Sequence, residues 1–94
     1  MKELGILEGD GQLLLVSGRR TDVRYRMEVI EESNGDRWAN GRLFGEASAL
    51  ASAAIDRRPT LQLGTGGTVV ILVVEHDPFD QTAQFIVNGP VPDF

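Results

Sequence analysis

The 94-residue chain has no cysteine and only one histidine, one lysine, one tryptophan and one tyrosine. Without cysteine there is no disulfide framework, no thiolate metal site and no thiol nucleophile, and the absence fits a reducing compartment. A single histidine is also too few for the usual catalytic zinc site, which takes three protein ligands. The longest unbroken apolar run is six residues, Val69 to Val74, whereas a membrane-spanning helix needs about 20. Acids at Glu3, Glu8 and Asp10 interrupt the stretch where a signal peptide would have its apolar core. A soluble cytoplasmic protein with no membrane contact is therefore the expectation.

Basic residues are also in the minority. Nine bases against fourteen acids leave a net charge of −5, which disfavours nucleic acids and anionic membranes as partners, since both reward a basic field. The remaining composition, 41% hydrophobic and 24% charged, is that of a globular chain and argues against disorder. A chain of this size buries roughly 60–65% of its extendable surface, enough to fold unaided. We find no internal repeat, low-complexity tract or linker, so residues 1–94 are expected to form one domain.

The strongest local signal is Thr68 to Glu75, in which five of the six central aliphatic residues are β-branched. This strand does not alternate apolar with polar residues, so both faces are expected to be covered, one by the core and the other by a helix or a second subunit. Leu13 to Val16 also fails to alternate, and the same burial is expected there. Val23 to Glu31 does alternate. Val23, Tyr25, Met27 and Val29 share one face, while Arg24, Arg26 and Glu28 share the solvent face.

Turn chemistry divides the rest. Glu8-Gly9-Asp10-Gly11 reads as a hairpin turn between Leu4–Leu7 and Gln12–Ser17, because such loops need residues that tolerate positive φ. Gly18 to Asp22 reads as a connecting loop. Asn34-Gly35 reads as a two-residue hairpin turn leading into a strand from Arg37 to Phe44. That register would turn Arg42 toward the apolar face, so a bulge at Gly41 is expected to bring Leu43 inward instead. Between Glu46 and Asp56, Ala47, Leu50, Ala51, Ala54 and Ile55 follow helical spacing, and Pro59 closes the segment. Thr60–Leu63 and Thr82–Val87 complete the strands, and Gly89-Pro90 onward cannot continue a central one. The expected fold is mostly β, α+β by strict count. It is a small antiparallel barrel of about seven strands joined by hairpins with one short helix around 46–56; a two-layer β-sandwich is the alternative.

Five groups of residues invite a chemical reading. Tyr25, Trp38 and Phe44 could line an apolar pocket in which Arg42 fixes an anion. Arg19, Arg20, Arg24 and Arg26 form a basic strip that could meet an anionic partner, although alternation turns Tyr25 away and Glu28, Glu31 and Glu32 follow closely. His76 with Asp77 and Asp80 could hold a metal from one loop, with Glu75 orienting the imidazole. Gly64-Thr65-Gly66-Gly67-Thr68 resembles a phosphate cradle only superficially, since it joins two strands and no lysine follows. The oxygen-rich Glu31–Asp36 turn lacks the spacing of a calcium loop. No nucleophile-elbow pattern surrounds any serine, no family signature is met, and no cofactor is implied. These readings favour a non-catalytic module acting by protein association, self-associating as a dimer. A ligand- or metal-binding domain is the alternative, and anionic-partner binding a further one.

Overall fold

The computed structural model describes residues 1–56, 59–77, 79, 81–88 and 91. Its elements are β1 (Lys2–Leu14), β2 (Arg20–Glu31), β3 (Arg37–Phe44), α1 (Ala47–Ile55), β4 (Thr60–Gln62), β5 (Thr68–Val70), β6 (Leu72–Glu75) and β7 (Thr82–Asn88). The strands form one antiparallel sheet in the order β5-β4-β1-β2-β3-β7-β6, curled into a half-barrel rather than split into two layers. Its two edge strands, β5 and β6, are consecutive in the chain. The stretch from Thr68 to Glu75 thus pairs first with β4 and then with β7. The change of partner falls at Ile71, whose N–H still donates to the Pro59 carbonyl at 3.0 Å.

Inward-facing side chains of all seven strands meet in one cluster that includes Leu13, Tyr25, Met27, Leu43, Leu61, Ile71 and Phe85. Helix α1 lies against β6 and β7 and adds Leu50 and Ala53 to this cluster. Its buried side is Ala49, Leu50 and Ala53, while Ala54 and Ile55 face solvent. The helical stripe read from the sequence is therefore rotated. Five alanines in the segment give little contrast between faces, and the side that docks is the one where Ala49 and Ala53 flank Leu50.

Both unalternating runs alternate once folded. Leu13 and Leu15 are buried and Val16 is exposed; Val69 and Ile71 are buried, whereas Val70, Leu72 and Val74 are about half exposed. Of the two covers expected for the outer face of Thr68–Glu75, a helix or a second subunit, the helix is not found there. The helix packs from the core side and leaves the outer side bare.

Gly9-Asp10-Gly11 is not a turn. It lies in the middle of β1, paired with Tyr25, Arg24 and Val23. Glycine is required at Gly11, where a Cβ would run into the main-chain carbonyl of Gln62 on β4 and sit 3.1 Å from Cε1 of the Tyr25 ring. A Cβ at Gly9 would make only ordinary contact with the Tyr25 hydroxyl at 3.5 Å. The β1–β2 connection is instead the tight turn from Leu15 to Arg19.

Three hairpins share one design. In Leu15–Arg19, Glu32–Asp36 and Leu63–Gly67 the first residue accepts from the N–H of the fourth and donates to the carbonyl of the fifth. The fourth residue is glycine in every case, with φ of 91° at Gly18, 90° at Gly35 and 101° at Gly66. This is the three-residue loop in which a tight turn is followed by a left-handed residue. It also resolves the register of β3. The extra residue sits in the turn, so Glu31 pairs with Arg37, Tyr25 with Leu43 and Met27 with Gly41 with no bulge at Gly41. Leu43 does point inward, but the loop length puts it there.

A Cβ at Gly35 would meet nothing within 4 Å, so substitution there tests backbone conformation alone. Gly35→Ala is expected to cost about 1–2 kcal/mol, lowering Tm by roughly 4–8 °C per kcal/mol for a domain of this size. An unchanged Tm in a thermal melt followed by circular dichroism would contradict the left-handed assignment.

Candidate functional site on the outer face of the sheet

The curl of the sheet sorts the candidate residues by side. Tyr25 faces inward and is buried; its hydroxyl accepts the Gly64 N–H at 3.3 Å, tying β2 to the β4–β5 turn. Trp38, Asn40, Arg42 and Phe44 alternate along β3 on the opposite side. Tyr25 is therefore separated from Trp38, Arg42 and Phe44 by the sheet, and the four do not line one cavity. Trp38 lies directly opposite Ile30 and donates its indole N–H to the Glu32 carboxylate at 2.7 Å. That bond anchors the β2–β3 turn.

Of the basic strip, Arg19 lies in the first turn and Arg20 opens β2, while Arg24 and Arg26 stand on the outer face. Each of the latter two meets the carboxylate directly across on β1: Arg24 is 3.5 Å from Asp10 and Arg26 is 3.6 Å from Glu8. These pairs are largely exposed and add little stability, but they offset much of the positive field that a polyanion would meet.

The neighbouring strand brings a different arrangement. Arg42 lies directly opposite Arg26 on one side and Gln84 on the other. A depression of about 470 Å³ opens over this row, lined by Arg26, Glu28, Asn40, Gly41, Arg42, Phe44 and Gln84. Of the four residues expected to form a pocket, it thus brings together Arg42 and Phe44, and it adds Arg26 from the basic strip. Asn40, Gln84 and Glu28 carry no motif of their own, and only the strand register reveals that they belong here.

The outer side of Thr68–Glu75 carries the bare row Val70, Leu72 and Val74, and Leu72 lies directly opposite Ile86. At the end of β6, His76 is half-buried, and the Asp77 carboxylate accepts the Phe79 N–H at 3.1 Å. Asp80 lies outside the described residues. Among the described residues no three His, Asp or Glu side chains converge as metal ligands would. The Gly64–Gly67 segment is the third hairpin turn, not a helix-capping loop. No helix among the described residues is long and apolar enough to cross a membrane. Comparison with protein families, with characterised proteins and with solved structures finds no match to this chain.

Proposed function

We propose that this protein is a non-catalytic module that acts by association, and that it associates with a second copy of itself through the outer side of Thr68–Glu75. The observation behind this reading is the row Val70, Leu72 and Val74, which are 55%, 49% and 52% exposed on the one stretch that supplies both edges of the sheet. Natural edge strands are usually blunted by charge or proline. Here Val70, Leu72 and Val74 stand exposed, with Ile86 beside Leu72 on β7, before the register shift at Val74 and the charge of Glu75 end the strand. A contiguous apolar row of this kind is what an interface core requires.

A second copy is the fitting occupant because a two-fold axis lets the same row cover itself, residue against symmetry mate. Three half-exposed side chains fall short of the ~800 Å² per partner that stable pairs bury. A contact of that size would have to continue from β6 onto Ile86 of β7.

Size-exclusion chromatography with light scattering tests this directly. The unaltered chain is expected to run at twice its 10.3 kDa mass at high micromolar concentration. Leu72→Lys combined with Val74→Lys is expected to run as a monomer with an unchanged circular dichroism spectrum, since both side chains point away from the core. A monomeric mass for the unaltered chain under the same conditions would refute the proposal.

A further inference from the structure

We infer that the depression over Arg26 and Arg42 binds a small monocarboxylate with an apolar body. The strand register sets these two guanidinium groups directly opposite one another, and like charges in that position repel unless something anionic lies between them. Arg26 is partly served by Glu8 from the far side, at 3.6 Å. Arg42 has no ion pair among the described residues, so its planar fork of donors is open to a carboxylate in bidentate geometry.

The surroundings define the ligand further. Gln84 directly across and Asn40 two residues back on β3 add amide donors without charge. Phe44, 42% exposed, supplies an apolar wall two residues ahead of Arg42. Two arginines against Glu28 leave the lining with one net positive charge in a chain of net charge −5. That single charge matches a monoanion. A phosphate dianion would meet Glu28 and the acidic field of the whole chain. The volume of about 470 Å³ falls within the usual ~300–1,000 Å³ of small-molecule sites. Because the site is shallow and wet, its affinity is expected to be about millimolar. The site needs no second copy of the chain.

Amide NMR spectra of the intact chain titrated with benzoate, acetate and inorganic phosphate test the inference. Benzoate is expected to shift the Gly41, Arg42 and Gln84 amides saturably, with acetate and phosphate each weaker by about fivefold or more. Arg42→Gln is expected to weaken benzoate about tenfold while the spectrum stays dispersed as in a folded chain. Arg24→Gln, whose arginine is held by Asp10 outside the depression, is expected to leave benzoate binding unchanged. The inference is overturned if benzoate produces no saturable shift at these amides, if phosphate binds as well as benzoate, or if Arg24→Gln does as much damage as Arg42→Gln.

Discussion

Gly41→Ala is expected to destabilise the protein by about 3 kcal/mol, a large share of the roughly 5–14 kcal/mol that holds a domain of this size together. Gly41 is an inward position of β3, paired with Met27 on β2 and with Phe85 on β7. A methyl group there would run into the main-chain carbonyl of Arg26 and come within 2.8 Å of both Met27 Cβ and Phe85 Cζ. None of the three can yield easily, since one is backbone, one is bonded directly to the backbone and the third is the tip of a fully enclosed ring. The phenyl ring of Phe85 occupies the space that a side chain at 41 would fill, which is how aromatic residues compensate for glycine inside a sheet. Urea unfolding measures the effect. Combining Gly41→Ala with Phe85→Leu should cost about 1 kcal/mol less than the sum of the two single changes, because the shorter side chain makes room. The Arg26 carbonyl remains in the way, so the rescue is partial. A Gly41→Ala variant within about 0.5 kcal/mol of the unaltered chain would show that the strands can part more readily than this packing allows.

Phe85→Ala is expected to cost still more, about 3–5 kcal/mol. Phe85 heads the fully buried side chains by size, and its cross-strand partners are Gly41 and Val73. Truncation would open a void against a residue with no side chain to move into it, so little relaxation can reduce the loss. Phe85→Leu keeps most of the volume and is expected to cost about 1–2 kcal/mol. Urea midpoints for the two variants should be well separated. A cost below about 1 kcal/mol for Phe85→Ala would mean that the core is not built around this ring.

These two residues also show what a sequence can and cannot disclose. The alternation of Val23, Tyr25, Met27 and Val29 is local and legible, and so are the inward faces of Thr82–Val87 and the existence of one alanine-rich helix. Glycine misleads most, because it meets two unrelated needs with the same letter. At Gly18, Gly35 and Gly66 it supplies a positive φ. At Gly11 and Gly41 it makes room for the main chain of a neighbouring strand and for a ring that packs beside it. Tyr25 is distant in the chain from Gly11, and Phe85 lies farther still from Gly41, so a local pattern carries no sign of either. Asn34-Gly35 signals a hairpin correctly, yet a two-residue loop and a three-residue loop with glycine in the left-handed position look alike in sequence. That ambiguity alone displaces the expected extra residue from the turn to Gly41.

The candidate sites follow the same logic. Arg42 stands out in the sequence because the simple register puts it on an apolar face. Its true neighbours, Arg26 and Gln84, are set by pairings across two hairpins and a helix. Residue type groups Tyr25 with Trp38 and Phe44, whereas sidedness in a sheet depends on parity, and the turn length fixes parity between strands.

The partner change at Ile71 has a consequence for how the molecule opens. A sheet whose borders belong to separate segments can fray from one side while the other holds. Here a single eight-residue latch closes both, so releasing it strips main-chain partners from β4 and β7 in the same event. The penalty for a half-undone state is thereby raised, and breathing of the fold should follow an all-or-none course.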